Sequence, residues 1–197
     1  PGIFVDKFKE SADSTDKILF VGALVRPKGV NILLQAFKKL SNHLPDVKLI
    51  IVGKGILEPE IIKLKNSGLK IEYMGFVPPS PRLKEIYSNS SVFCSPSLNT
   101  RKAGLILTGQ EQFGFTLVEA MSSGLPIVSS NIGAIPEIVG AENLVVTPTS
   151  ENVFAALYKV LTYDNLRKKL RENNRKRSIS MFNAPIQSGL FEKAIGR

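Results

Sequence analysis

Two carboxylates stand eight residues apart in the segment QEQFGFTLVEAMSSGLP, which spans residues 110–126. Glu111 precedes a Phe-Gly-Phe triplet, and Glu119 follows it. A carboxylate pair of this kind can serve as the acid and base of a glycosidase or as metal ligands. It can also accept hydrogen bonds from a ligand without taking part in the chemistry. The residues between the two carboxylates help to separate these three alternatives.

Those intervening residues predict the mouth of a helix. Gly114 lets the backbone approach a ligand closely, and the helix is expected to begin near Phe115 or Thr116. A helix N-terminus carries unpaired N–H groups and about half a positive charge, so it favours an anion. Helical side chains lean toward the N-terminus, which turns Glu119 back toward this mouth. Glu111, in the loop before the glycine, can face the same mouth from the other side.

The spacing fits the third alternative best. A glycosidase pair requires carboxyl groups about 5–9 Å apart and an apolar site that raises one pKa, and nothing here marks either glutamate for that role. A metal site is poorly supported, because the pair lacks the Asp-rich or His neighbours typical of one. A nucleotide-sugar has hydroxyls at both ends and a diphosphate between them. The order carboxylate, amides, carboxylate matches that pattern.

The segment GALVRPKGV, residues 22–30, is a second candidate site. Gly22 closes a short apolar strand, and a helix is expected to start near Lys28. Arg26 and Lys28, beside the N–H groups of that helix start, favour a phosphate. A helix start that is basic without binding anything is an equally good interpretation of this feature alone.

The segment GKGILE, residues 53–58, contains the first half of the GxGxxG fingerprint of dinucleotide-binding domains. Glu58 stands where the third glycine belongs, and Glu72 follows at about the distance of the acidic residue that meets a ribose. This unit is also the second strand–helix pair of the chain rather than the first. A tight turn is therefore favoured over a nicotinamide site, and a dinucleotide-binding oxidoreductase is the alternative function.

Short apolar runs alternate with helical segments and must position these residues. Strands are predicted at 17–22, 47–53, 69–76, 91–97, 125–130 and 143–146. Helices are predicted at 30–42, 56–68, 82–90, 115–124, 134–140, 150–161, 164–177 and 186–195, with a loop at 98–112. This alternation predicts an α/β fold, a single Rossmann-like doubly wound domain with a six-stranded, mainly parallel sheet flanked by helices on both faces. Ligands bind such sheets at the carboxyl ends of the strands, where each candidate site falls.

Composition restricts the class of protein further. The chain of 197 residues is 43% hydrophobic, which is enough to bury the core of one large domain. With one cysteine and one histidine, it has no internal disulfide and no Cys/His metal cluster. It shows neither an apolar run of about 18–20 residues nor a signal peptide, so a cytoplasmic location is expected. A start at Pro1 without Met indicates a piece of a longer protein.

The net charge of +9 concentrates in LRKKLRENNRKR, residues 166–177. A solvated helix face is the simplest interpretation of this run. Contact with an anionic membrane surface is the sharper one. Binding of nucleic acid is disfavoured, because no aromatic residues are interleaved with the charges.

Taken together, these segments resemble one known family. EQFGFTLVEAMSSGLPIVSSNIGAIPEIV resembles the C-terminal signature of retaining GT-B glycosyltransferases of family 4, and FVGALVRPKGVNILLQAF resembles their first phosphate-binding turn. LIIVGKGILEPEI and IEYMGFVPPSPRLKEIYSNSSVFCSPS resemble the segments between. The resemblance covers roughly residues 1–180. It implies that residues 1–197 form the domain that binds the nucleotide-sugar donor, with PGIFVDKF inside a linker at 1–10 and a C-terminal helix at 178–197 that returns to an N-terminal domain.

The resemblance also implies roles for individual residues. Glu111 would hold hydroxyls of the donor sugar, and Glu119 those of the ribose. Lys28 would neutralise the diphosphate as it leaves, which makes Lys28 and Glu111 the residues closest to the chemistry. The other donor-binding positions would be Gly22, where the chain passes close to the donor, and the backbone of Phe113, Gly114, Phe115 and Thr116. Arg26 is not part of this family pattern and is a candidate because of its charge beside the helix start.

Transfer would retain the anomeric configuration and need neither a metal ion nor a cofactor beyond the nucleotide-sugar substrate. One position departs from the family, whose members usually carry Arg directly after the strand-end glycine. That position is Ala23 here. The acceptor site belongs to the N-terminal domain in this family, so the chain alone is expected to bind a donor weakly without transferring it.

Overall fold

The computed structural model describes residues 3–11, 16–98, 101–102, 105–106 and 114–188. Their strands, in chain order, are β1 Lys17–Val21, β2 Lys48–Val52, β3 Ile71–Tyr73, β4 Val92–Ser95, β5 Arg101–Lys102, β6 Leu105–Ile106, β7 Ile127–Ser130 and β8 Leu144–Val146. Their helices are α1 Val30–His43, α2 Glu58–Asn66, α3 Pro81–Ser88, α4 Phe115–Ser122, α5 Ile135–Val139, α6 Ser150–Thr162 and α7 Asp164–Arg177.

Six of these strands form one parallel sheet in the order β3-β2-β1-β4-β7-β8. The order reverses direction between β1 and β4, which is the switch point where doubly wound domains bind their ligands. The predicted fold class is therefore confirmed, including the number of strands and the helices on both faces.

Alternate side chains of the strands enter two separate cores, as the period of two in a strand requires. On one face, Ile18 and Phe20 of β1 pack with α1, α2 and α6. On the other face, Leu19 of β1 packs with α3, α4 and α5. Both faces are covered, so the central strands carry uninterrupted apolar runs such as VFC in β4, whose Cys94 is fully buried.

The structure corrects several predicted boundaries. The strand predicted at 69–76 is only the three residues of β3, since this edge strand pairs with β2 alone and Gly75 then takes a left-handed conformation with φ 65°. The loop predicted at 98–112 includes the short antiparallel pair β5 and β6. Helix α7 continues into a π-helical turn, Ser178–Phe182, and a further helix is present at 184–188, so it begins before the predicted start at 186. The rest of that prediction, 189–195, lies outside the described residues.

The predicted linker packs against the domain over the residues that the structure describes. Val5 and Phe8 are buried, and Ile3 forms a parallel bridge with Asn183. The Ile3 N–H donates to the Phe182 carbonyl at 2.9 Å, and the Ala184 N–H donates to the Ile3 carbonyl at 2.8 Å. The two ends of the described chain are therefore held side by side.

The basic run at 166–177 is helix α7, and the interpretation as a solvated face is wrong for its arginines. Arg167 is buried and forms an ion pair with Asp164, with 2.9 Å between Nη2 and Oδ1. Arg171 donates to the hydroxyl of Ser11 at 2.7 Å. Arg175 donates to the carbonyls of Val5, Phe8 and Ser122, and Arg177 to that of Ile138. The lysines at 168, 169 and 176 remain exposed. Within the described ranges, no helix combines the length and apolar character needed to cross a membrane.

Candidate functional site

The turn after β1 lies at the switch point of the sheet. A 3-10 turn, Arg26–Lys28, leads into Gly29, which adopts a left-handed conformation with φ 70° and starts α1. A Cβ atom at Gly29 would lie 1.8 Å from the carbonyl oxygen of Pro96, and the Leu98 N–H donates to the Pro27 carbonyl at 2.7 Å. The turn after β1 is thus in close backbone contact with the segment that follows β4. It leaves Lys28 half-buried and Arg26 exposed at the carboxyl edge of the sheet.

The turn after β2 explains the two glycines of GKGILE without a dinucleotide. A Cβ atom at Gly53 would lie 1.8 Å from the carbonyl oxygen of Gly22, and one at Gly55 would lie 2.4 Å from that of Leu24. Both glycines therefore let the β2 turn pack against the β1 turn. The mouth of α2 is occupied by its own carboxylate, since Glu58 Oε1 accepts the Gly55 N–H at 2.9 Å. This hydrogen bond is the main reason that the pKa of Glu58 lies below its usual value.

The other parts of the dinucleotide interpretation fit no better. Glu72 lies in the middle of β3, opposite Ile50 of β2, rather than beyond the end of a strand. The hydroxyl of Tyr73, the next residue, donates to the Gly53 carbonyl at 3.2 Å and so closes this turn further. The structure favours the tight-turn interpretation of GKGILE.

The conformation of Gly114 and the first residue of α4 agree with the sequence prediction. Gly114 is buried in the left-handed conformation, with φ 57° and ψ 49°, and the helix begins at Phe115. The carbonyl of Gly114 accepts the N–H groups of Leu117 and Val118 at 2.8 and 3.2 Å. No side chain in the described part of the chain caps this helix start. Phe115 is half-exposed at the mouth and Thr116 is partly buried, whereas Glu111 and Phe113 lie outside the described residues.

Glu119 lies one turn into α4 and borders a pocket of about 260 Å³. Pro79, Ser80 and Lys84 line the opposite side, at the start of α3. The hydroxyl of Tyr87 donates a 2.8 Å hydrogen bond to Glu119 Oε2. Burial raises the pKa of Glu119 above its usual value, and the Tyr87 hydrogen bond and the charge of Lys84 oppose that rise. The Glu119 carboxylate is thus partly desolvated. Tyr87 holds one of its oxygens by a hydrogen bond, and the side chain borders the pocket.

A second pocket, of about 310 Å³, lies beyond the carboxyl ends of β1, β2 and β3. Gly22 and Ala23 line it from the β1 turn, and Phe76, 63% exposed, lines it from the segment after β3. Lys54 is the charged residue among the residues described as lining this pocket. The segment after β3 thus borders this pocket through Phe76 and the Glu119 pocket through Pro79.

Sequence reasoning missed two residues of this arrangement. Lys54 stands between two strand-end glycines, a position that could have marked it as facing the ligand edge. The role of Tyr87 could not be predicted, because in RLKEIYSNS it looks like one more core residue on the apolar face of a helix. The predicted site residues that the structure describes fall in two groups at the carboxyl edge of the six-stranded sheet. Gly22, Arg26 and Lys28 follow the end of β1, and Gly114, Phe115, Thr116 and Glu119 lie at the start of α4, in the connection from β4 to β7.

The parallel sheet and its switch point define a Rossmann-like α/β domain, and two pockets at the carboxyl edge of the sheet are its candidate ligand site. Residues 4–177 match the model of the family described as glycosyl transferases group 1, and the chain belongs to that family. It is 31% identical over 154 residues to the phosphatidyl-myo-inositol mannosyltransferase of Mycolicibacterium smegmatis, which covers 76% of this chain and 37% of that protein. The chain therefore spans well under half the length of the curated relatives it matches first.

Solved structures agree on the fold. The C-terminal domain of a glycosyl transferase group 1 family protein (LpcC) from Francisella tularensis superposes with a TM-score of 0.76 at 20% identity, covering 93% of this chain and all of that domain. Anabaena HepE, solved in complex with UDP and glucose, gives a TM-score of 0.77 at 18% identity, covering 100% of this chain and 55% of that one.

Proposed function

We propose that this chain binds the nucleotide-sugar donor of a retaining hexosyltransferase, whose acceptor, a sugar, lipid or polysaccharide, is held by a second domain outside this sequence. The observation that supports the proposal is the placement of three features at the carboxyl edge of one sheet. These are the β1 turn with Lys28, the α4 mouth after Gly114, and Glu119 on its pocket. The relative named as a mannosyltransferase and the neighbour solved with UDP and glucose support this class of donor.

The diphosphate binds between Lys28 and the start of α4. Negative charge develops on this group as the bond to the sugar breaks, and preorganised cations and amides stabilise it most at that moment. The N–H groups at the mouth of α4 and the helix dipole supply part of that field. Lys28 contributes one charge-assisted contact, of the order of 1.5–3 kcal/mol. No metal ion or cofactor is needed in this scheme.

The two carboxylates position the donor rather than exchange protons with it. Glu119 accepts hydrogen bonds from the ribose hydroxyls in the 260 Å³ pocket. Glu111, with the backbone of Phe113, is assigned to the donor sugar on the family resemblance alone. Gly22 forms the backbone wall on the side of β1, where a side chain would narrow the path of the diphosphate.

Ala23 leaves a charge missing from the usual family pattern, and Lys54 is the candidate to replace it. Lys54 and Ala23 line the same pocket, whereas Arg26 lies further along the turn and is exposed. An ammonium group from the β2 turn would approach the diphosphate from the side that the missing guanidinium would have occupied. Donor binding would then depend on Lys28 and Lys54 together.

Calorimetric titration of the chain with UDP-, GDP- and ADP-sugars tests the proposal. We expect one class to bind, and Lys28→Ala and Glu119→Ala each to weaken its affinity by about tenfold or more. Lys48→Ala is the matched control, because this exposed lysine begins β2 at the opposite edge of the sheet. The proposal fails if none of the three classes binds, or if both variants bind as the parent chain does.

Peripheral contact with an anionic membrane is also proposed, now through the lysines at 168, 169 and 176 rather than the whole basic run. Each lysine near such a surface contributes about 1 kcal/mol. Replacing all three by glutamine should abolish sedimentation of the chain with phosphatidylserine vesicles at low salt, and retention of binding would contradict the proposal. A cytoplasmic location for the parent protein fits this contact and is proposed with it.

A further inference from the structure

Tyr87 is a fully buried residue of α3 whose hydroxyl points at the proposed nucleotide site. Its ring packs edge-on against Phe8 at 6.3 Å and lies 6.0 Å from Phe93 of β4, measured between ring centroids. These contacts come from the N-terminal segment and from the sheet, so the ring has a fixed place. The hydroxyl donates to Glu119 Oε2 at 2.8 Å. Burial and the neighbouring carboxylate raise the pKa of Tyr87 well above its usual value, which keeps the phenol a donor.

This hydrogen bond divides the two oxygens of Glu119 between two tasks. A carboxylate accepts through both oxygens, and Oε2 already accepts from Tyr87. Glu119 also borders the pocket formed with Pro79, Ser80 and Lys84. A glutamate side chain otherwise rotates about three bonds, and its freedom must be lost when a ligand binds. An anchored Oε2 removes that freedom before the ligand arrives.

We propose that Tyr87 is a positioning residue that aims Glu119 at the vicinal diol of a ribose. With Oε2 held from the core, Oε1 and the outer lone pairs of Oε2 face the pocket, where the two adjacent hydroxyls can donate to them. This inference deepens the proposed function and rests on it. It adds a residue that touches no ligand and acts only through Glu119.

The simpler role for Tyr87 is that a buried phenol takes the nearest acceptor. That role predicts a loss of stability on removing the hydroxyl, and no change in how the site distinguishes nucleotides. The positioning role predicts a change in discrimination, because a site built to hydrogen-bond a hydroxyl rejects the analogue that lacks it only while its acceptor is correctly aimed. The ratio of affinities for ribo- and dideoxyribonucleotides separates the two roles.

The experiment titrates the 197-residue chain with UDP, GDP and ADP, and then with the 2′,3′-dideoxy form of whichever binds. For Tyr87→Phe, which keeps the ring and its packing, we expect the ribonucleotide affinity to fall by about five- to tenfold. The dideoxy affinity should stay within about twofold, so that the ratio shrinks. Tyr73→Phe is the matched control, since its hydroxyl donates to a backbone carbonyl at the same sheet edge, and it should leave the ratio unchanged.

A second comparison uses Glu119→Ala as the background, and thermal melting of every variant checks that the fold persists. If Tyr87 acts through Glu119, adding Tyr87→Phe to Glu119→Ala changes the ratio no further. Equal losses for both nucleotides in the single variant, no loss for either, or an unchanged effect in the Glu119→Ala background would each overturn the inference and leave the proposed function standing. Failure of the parent chain to bind any of the three diphosphates would instead overturn the proposed function, and the role of Tyr87 with it.

Discussion

Gly29 and the carbonyl of Pro96 are so close that a Cβ atom on the glycine would stand 1.8 Å from the carbonyl oxygen. The contact joins the turn that carries Lys28 to the chain that leaves β4, across the switch point of the sheet. It involves backbone on both sides, so no side chain can move away to relieve a clash. The position of Lys28 at the carboxyl edge of the sheet therefore depends on this glycine.

Replacing Gly29 by alanine should destabilise the fold strongly. The left-handed conformation costs about 1–2 kcal/mol for a residue with a Cβ atom, and displacing the Pro96 backbone adds to that, so we expect a loss of more than about 3 kcal/mol in the free energy of unfolding. Urea denaturation followed by circular dichroism measures it. Gly68→Ala is the control, since Gly68 also has a positive φ, of 97°, but open space where its Cβ would lie. A similar small loss in both variants would refute the close contact.

On acidification, the affinity for a nucleotide-sugar should weaken at a higher pH than it would if Glu119 had the pKa of an ordinary glutamate. Burial raises the pKa of Glu119 above 4.5, so its carboxylate becomes protonated, and loses acceptor capacity, at a higher pH. We expect the affinity measured by calorimetry to fall as the pH drops from 7 toward 4.5, and Glu119→Gln to lose most of this dependence. A pH profile identical in the two proteins would contradict the assignment.

The raised pKa of Glu119 in the folded state also makes the free energy of unfolding depend on pH. As the pH falls through that pKa toward 4.5, the folded state binds a proton before the unfolded state does, so protonation favours folding in this window. Tyr87→Phe removes a hydrogen bond that lowers this pKa, and should raise it further. Carbon-13 NMR titration of the glutamate carboxyls would detect the shift, and an unchanged Glu119 resonance would show that the hydroxyl does not act on it.

Lys54→Ala should weaken binding of the nucleotide diphosphate by about tenfold, the effect of losing one charge-assisted contact. The parent chain should also lose affinity more steeply with added salt than the variant does, because screening acts on the charge. Introducing Ala23→Arg into the Lys54→Ala variant should restore binding, since both positions line one pocket. If Lys54→Ala binds as the parent does, the second cation must come from elsewhere.

Arg175→Met should destabilise the chain although it removes a charge from the most basic helix. The guanidinium donates to the carbonyls of Val5, Phe8 and Ser122, and the variant loses these three hydrogen bonds. We expect a loss of about 2–4 kcal/mol in the free energy of unfolding, together with faster proteolysis of the N-terminal segment. Lys168→Met, an exposed neighbour on the same helix, should stay within about 0.5 kcal/mol. Equal stabilities would show that the arginine contacts contribute nothing.

Much of the fold could be predicted from local patterns. The apolar runs of β1, β2 and β4 are typical of strands in a parallel sheet that is covered on both faces, and Gly22 and Gly53 mark where the first two runs stop. The start of α4 at Phe115 follows from Gly114 and the helical spacing after it. These features depend on residues within a few positions of one another, so they can be predicted from the sequence without knowledge of the tertiary structure.

The candidate site could be predicted less completely from the sequence, since its parts come from different elements. Glu119 was identified as a ligand-facing carboxylate, but its partner Tyr87 lies 32 residues away and looks like core in its own helix. Lys54 approaches Ala23 only because Gly53 and Gly55 let two backbone turns touch. Such pairings depend on the order of strands in the sheet, which local spacing does not encode.

By itself, then, the sequence determined the α/β class, most of the elements and the edge of the sheet at which the candidate site lies, because burial and helix starts are local properties. The tertiary structure decided what each polar side chain contacts. Arg175 shows the difference: the sequence places it in a basic run, yet in the fold it donates to the carbonyl of Val5, 170 residues away. The guanidinium reaches this carbonyl because the fold brings α7 beside the N-terminal segment, and no local pattern in the sequence encodes that pairing.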